Sequence, residues 1–291
     1  MEELEDWFYN YNAWSFSKHR LWESCKLAYY YRYIGTALKK SDEIDIMHLK
    51  KLKDLKSRNA LQGIIIHEVL ENQMGQHFIG RGVSEESAKA QYIQRLDQYR
   101  KNAKYTIIEY YNGQPIDENF FDYARSYGAD KIGMFFGVIW PQFRDLEYLK
   151  HEKFDRFTVN GVECIVKADY VSKTKDDIIV VSDWKTGVDN EEYESELQIG
   201  VYVLWAMDYY KTELEKVRSE MVYLTTGVMR PYEFNNDRLE AIKNQITEEF
   251  AIMNETYEIE HFTPSPEPRK CLGCQFSTVC PYFLAKEALG G

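Results

Sequence analysis

Ile178-Ile179-Val180-Val181-Ser182-Asp183-Trp184-Lys185-Thr186-Gly187 decides how this chain is read. It opens on an apolar, β-branched run, the pattern of a strand buried on both faces. The strand then ends on an acid and, two residues later, a lysine. Charges in such surroundings are excluded unless they are paired or bind a metal. Lys173 to Asp177 reads as a polar turn, and Val162 to Val171 before it as another strand. An odd-numbered turn sets Asp169 directly across from Asp183, with Cβ atoms roughly 5 Å apart. Period-two alternation puts Lys185 on the Asp183 face, about 6.6 Å along the strand.

A second turn extends the pattern. Asn160-Gly161, between Val159 and Val162, is a strong hairpin signal because both positions tolerate positive φ. A two-residue loop there pairs 159 with 162 and, by the same register, Glu152 with Asp169. Glu152, Asp169 and Asp183 then line up across three adjacent strands. Val162, Cys164, Val166 and Ala168 point the other way, toward a core.

Other candidates lie outside the hairpins. His67 sits in the mostly apolar helical stretch Leu61 to Glu71, where a lone histidine by itself reads as a hydrogen-bonded core or rim residue. Gln198 and Tyr202 are spaced i, i+4 and share one face of a helix that follows the acidic run Glu191 to Glu196. Cys271, Cys274 and Cys280 lie within ten residues, with Cys25 far upstream and Cys164 on the expected core face. A Cys-x-x-Cys with a third cysteine nearby is a metal signal, and four thiolates suit zinc or an iron–sulfur cluster equally by spacing. Disulfides fit poorly, since the cysteine count is odd and the acidic amino terminus is unlike a signal peptide.

The remaining expected elements are helices over 12–35, bearing Cys25, and around 60–78, bearing His67. A charged connector or helix covers 41–58. Two or more long helices fill 84–148, capped by Ser84 and broken at Gly113-Gln114-Pro115. A three-strand meander occupies 150–187, a strand pair lies near 219–234, and a helix runs over 236–257.

Four segments, in their order and spacing, resemble the PD-(D/E)XK nuclease superfamily, in the RecB/AddB-like branch that includes iron–sulfur CRISPR adaptation nucleases. They are Ser15 to Leu21 leading to Cys25 and Tyr29 to Tyr33; Gly63 to Glu68; the hairpin ending Asp183-Trp184-Lys185-Thr186-Gly187; and Gln198 to Tyr202 with the later cysteines. The resemblance implies an α/β fold, a restriction-endonuclease-like core with a central mixed β-sheet flanked by helices. Within one domain, 1–291, it implies a helical insertion over 79–149, a catalytic sheet core over 150–235 and a metal-cluster region of 12–35 plus 262–285. His67, Asp169 and Asp183 would bind a divalent metal, helped by the Trp184 carbonyl. Lys185 would be the catalytic lysine, with Gln198 and Tyr202 as the helix motif after the active-site strand. Glu152 matches a family acid only loosely. Cys25, Cys271, Cys274 and Cys280 match the ligands of a [4Fe–4S] cluster, with Zn²⁺ the alternative, clasping the first helix to the last segment. Lys26 departs from the pattern, since the family more often has a proline after the first cysteine.

The implied activity is metal-dependent hydrolysis of DNA, as an exonuclease on single-stranded ends, in recombination, repair or CRISPR spacer processing. Carboxylates suit Mg²⁺ or Mn²⁺, and the imidazole shifts the preference toward Mn²⁺. A helicase or a CRISPR integrase is the kind of partner implied. The alternatives are a catalytically silent nuclease fold used as a DNA-binding or scaffold subunit, and an RNA-directed enzyme. The intact Asp169, Asp183 and Lys185 set speaks against the silent form.

Composition bounds these readings. The 291 residues suffice for a sizeable core, and the net charge of −11 runs against nucleic-acid binding through a broad basic face. Basic runs at Lys18-His19-Arg20, Lys39-Lys40 and Lys50 to Arg58 read equally as ordinary solvated helix faces or as DNA paths, and the tyrosines from 29 to 33 read first as core and cluster packing and second as stacking surfaces. No phosphate-binding GxxxxGK[ST] motif is present, so unwinding would need a partner. No apolar run reaches membrane-spanning length, and the expected location is cytoplasmic.

Overall fold

The computed structural model describes residues 12–151, 154–187, 194–255 and 257–283. Its longer helices are α1 (Phe16–Ser24), α2 (Ile46–Asp54), α3 (Arg58–Phe78), α4 (Glu85–Lys101), α5 (Glu118–Met134), α6 (Glu194–Tyr210) and α7 (Asn236–Met253). The strands are β1 (Glu147–Lys150), β2 (Phe154–Val159), β3 (Val162–Lys167), β4 (Tyr170–Lys173), β5 (Ile179–Lys185), β6 (Val217–Tyr223) and β7 (Met229–Tyr232). The fold is α/β: a mixed five-stranded sheet, ordered β1-β4-β5-β6-β7, flanked by helices, with β2 and β3 forming a separate two-stranded sheet.

The decisive run is the middle strand of that sheet. β5 pairs antiparallel with β4 and parallel with β6, and it is buried from Ile179 through Trp184. One face carries Trp184 into an aromatic cluster, 5.5 Å from Phe135 and 5.3 Å from Phe143 between ring centres. Such edge-to-face pairs add to the area they bury. The other face is covered by α6. That helix packs closely on α7 because Gly200 has no side chain: a Cβ there would lie 2.2 Å from Ile242 Cδ1.

The chain divides into two compact units, one comprising 62–100 and 117–245, the other 1–61, 101–116 and 246–291. The first holds both sheets. In the second, Phe262 packs against Trp22, Tyr29 and Tyr30, and Gln275 Nε2 donates to the carbonyl of Lys53 at 2.9 Å. Arg32 donates in turn to Gln275 Oε1 at 2.8 Å. The proline-rich lead-in is therefore followed by a segment tied down through buried side chains and backbone carbonyls.

The structure corrects several expectations. The 12–35 helix is broken at Cys25, whose φ of −166° and ψ of 111° leave the helical region, and the chain resumes with Lys26–Tyr29 and a wider turn over Tyr30–Ile34. The expected three-strand meander is two ladders. Val162 to Val171 splits at Ala168-Asp169, β3 stays with β2, and β4 takes β1 as its other neighbour. The register of the Asn160-Gly161 hairpin is nonetheless the expected one, Val159 facing Val162, with φ of 46° and 83° at the turn. Of the two readings of the tyrosine run, core packing holds for Tyr29, Tyr30 and Tyr31, which are buried. Lys18 is buried too, donating to the Ala13 carbonyl at 2.6 Å, so this lysine is not an exposed cation of its basic run. The last long helix ends at Met253, four residues short of expectation. Glu152 lies outside the described residues. No helix among those described is long and apolar enough to cross a membrane.

Candidate active site

Asp183 and Lys185 stand two residues apart on β5 and share one face of the sheet. The β4–β5 register, Tyr170 facing Ser182, carries Asp169 to the position opposite Asp183. Asp169 lies just before β4, at the break in the strand. Its Oδ2 accepts the backbone N–H of Trp184 at 2.7 Å, a bond that joins the acid to β5. Its Oδ1 lies 3.4 Å from Nδ1 of His67, which α3 presents to the same face.

A buried network holds the other acid. Asp183 Oδ1 accepts from Gln198 Nε2 at 2.9 Å and has the Tyr202 hydroxyl 3.1 Å away. That hydroxyl also lies 3.0 Å from the Lys167 carbonyl and accepts from Gln198 at 3.0 Å. Burial, then the charges of Asp183 and Asp169, holds the Tyr202 hydroxyl protonated well above the ordinary tyrosine range. Lys185 Nζ donates to Gln198 Oε1 at 2.9 Å and lies 2.6 Å from Asp183 Oδ2. The one-turn spacing of Gln198 and Tyr202 lets a single helix face serve both charges of β5.

Asp183 Oδ2 is paired by distance with the lysine, yet, although buried, it accepts no directed hydrogen bond among the described residues. The distance and the missing bond are compatible, because the contact is Coulombic without the alignment of a hydrogen bond. Two carboxylates and an imidazole are donors that a divalent cation such as Mn²⁺ accepts. Among the described residues, no three His, Cys, Asp or Glu side chains stand close enough to form a ready-made metal cage.

Thr186, directly after Lys185, is pinned from three sides. Its carbonyl accepts from the Tyr127 hydroxyl of α5, and Thr225 Oγ1 lies 2.9 Å from it and from the Gly187 carbonyl. A Cβ on Gly63 would come within 3.0 Å of Thr186 Oγ1, so the glycine one helical turn before His67 admits this close approach. Tyr127 and Thr225 escaped the sequence reading. Bonds to backbone carbonyls leave no pairing signal in residue types.

In the other unit, Cys25, Cys271, Cys274 and Cys280 line one cavity together with Tyr31. Burial, then the neighbouring Cys25, Cys280 and Cys271, pushes the Cys274 thiol up to about 11. A bound cation that favours thiolate would reverse that shift. Cys164 sits apart, fully buried on β3, its thiol pushed up to about 12 by burial.

Residues 13–281 match the family model of the PD-(D/E)XK nuclease superfamily, and the chain belongs to that superfamily. The Gene 69 protein of Mycobacterium phage D29 is 34% identical over 107 residues, which is 35% of this chain and 37% of that protein. The match thus spans little more than a third of the curated relative. A solved structure from Eubacterium rectale, provisionally called an exonuclease, aligns over 98% of this chain and 93% of its own with a TM-score of 0.50. At 12% identity that likeness concerns the fold alone.

Proposed function

We propose that the protein is a metal-dependent deoxyribonuclease, an exonuclease on single-stranded DNA ends, of the RecB/AddB-like branch. The observation that carries this is the joint placement of Asp169, Asp183 and Lys185 on one face, with Gln198 bridging the lysine and the acid. His67, Asp169, Asp183 and the Trp184 carbonyl would hold Mn²⁺ or Mg²⁺. Bound there, the ion supplies positive charge against the charge that builds on the phosphate oxygens during hydrolysis. Lys185 supplies a second positive group and orients the attacking water, while Gln198 accepts from its ammonium and donates to Asp183 Oδ1, fixing the two charges relative to each other. Tyr202 stays protonated and holds Asp183 in place.

The four cysteines around one cavity support a [4Fe–4S] cluster that clasps the two ends of their unit, with Zn²⁺ the other occupant that thiolates suit. The division 12–35 with 262–285 as cluster region, 79–149 as helical insertion and 150–235 as catalytic core belongs to the same proposal. Recombination, repair or CRISPR spacer processing, beside a helicase or integrase, is the setting such an enzyme fits.

The experiment is to offer labelled single-stranded DNA, duplex DNA and RNA to anaerobically purified protein, with Mn²⁺ or Mg²⁺, while iron, sulfide and zinc are measured. The proposal expects single-stranded DNA to be degraded from its ends, with Mn²⁺ at least as effective as Mg²⁺. It expects iron and sulfide to be lost in Cys274→Ser. Strict Mg²⁺ preference would count against His67 as a ligand, and a colourless zinc protein against the cluster.

A further inference from the structure

α5 carries a strip of side chains that ends on the loop after Lys185. Tyr127 donates its hydroxyl to the Thr186 carbonyl, and Lys131, one turn on, lies 4.7 Å over the Tyr127 ring. One turn before it, the ring of Tyr123 lies 5.8 Å from that of Tyr127, yet the residue is 61% exposed. Spacing of four places the three side chains in a row along one helix face. An exposed aromatic beside a half-buried one, a cation and a backbone carbonyl of the loop after Lys185 make an unusual surface group.

The geometry points to Tyr123 as a stacking platform for an unpaired base of the nucleic acid being cut, with Lys131 meeting a neighbouring phosphate. This rests on the nuclease reading above and deepens it by naming how a single strand is held. A nucleobase in a duplex offers no free face, so such a platform selects unpaired ends. Base–aromatic stacking needs no sequence preference, and it supplies affinity that this acidic protein does not draw from a broad basic surface. Tyr127 is a positioning residue: it connects the platform to Thr186 and hence sets the stacked base relative to Lys185. The tyrosines from 29 to 31 are buried and do not serve this purpose.

The test is equilibrium binding of a short fluorescein-labelled oligothymidylate to the Lys185→Ala protein, so that turnover does not intervene. Tyr123→Ala in that background should weaken binding about tenfold, and Tyr123→Trp should retain it. A series of oligonucleotides with one abasic residue at successive positions should show a comparable loss at one position. That loss should vanish in Tyr123→Ala, because the base and the ring are one interaction. Lys131→Ala should reduce the salt dependence of binding by about one counterion. Equal binding by Tyr123→Ala and its parent, or abasic and alanine losses that simply add, would overturn the platform while leaving the nuclease reading standing. A parent that binds no oligonucleotide would overturn both.

Discussion

The backbone N–H of Trp184 is bonded at 2.7 Å to Oδ2 of Asp169, so the acid preceding β4 is part of the framework of β5 as well as a candidate ligand. The two roles separate by mutation. Asp169→Asn keeps an oxygen acceptor for that N–H but removes the charge, and it should retain the fold while losing cleavage. Asp169→Ala leaves a buried donor unsatisfied and should cost a further 1–3 kcal/mol or so of stability. Thermal denaturation beside a cleavage assay checks this. Equal stability of the two variants would contradict the structural role of the bond.

Glu220 tests the electrostatics of the sheet. It sits on β6 opposite Ser182, whose hydroxyl donates to Oε1 at 2.8 Å. Burial raises its carboxyl above the ordinary value, against smaller opposing effects of Ser182 and Arg218. A raised folded value means that the stability it contributes is present at acid pH and lost as pH rises through that value. Near neutrality the charge is therefore a cost. Glu220→Gln, which keeps an acceptor for Ser182, should raise Tm at pH 7, by about 2–4 °C per kcal/mol relieved. The gain should shrink toward pH 5. A lower Tm at pH 7 would mean that the charge is stabilising.

Tyr92 gives the matching prediction at high pH. It is fully buried, its hydroxyl donates to the Ala124 carbonyl at 2.8 Å, and burial pushes its pKa up. Stability from a group shifted upward is complete below its unfolded value, about 10, and declines as pH rises toward the folded value. Tyr92→Phe should cost about 1 kcal/mol at pH 7 through the lost hydrogen bond. The gap to wild type should close above pH 10. Denaturant titrations at both pH values measure it, and a gap that widens would contradict the assignment.

Much of the sheet and of the candidate site was legible because both rest on strict periodicities. The run Ile178 to Val181, the Asn160-Gly161 turn and the i, i+4 spacing of Gln198 and Tyr202 each fix a direction in space from residue type alone. What stayed hidden depends on distant partners. Nothing in Ala168-Asp169 announces a strand break; the break shows only once Asp169 is seen to bond the Trp184 N–H instead of continuing the ladder. Cys25 keeps its N–H on the Leu21 carbonyl at 2.8 Å while its backbone turns out of the helix, so the local composition still reads as helical. Lys18 looked like a surface cation because the Ala13 carbonyl that receives it is invisible in a pattern of residue types. β1 was missed because Glu147 to Lys150 is too short to show an alternation.

The most direct measurement is the rate of cleavage of end-labelled single-stranded DNA by wild type and by Lys185→Ala, with Mn²⁺ and equal folded fractions verified by circular dichroism. Lys185 touches both Asp183 and Gln198 and is partly exposed, so its truncation should leave the fold intact and lower the rate at least a hundredfold. Equal rates in the two proteins, or no cleavage of any substrate by wild type, would contradict the account.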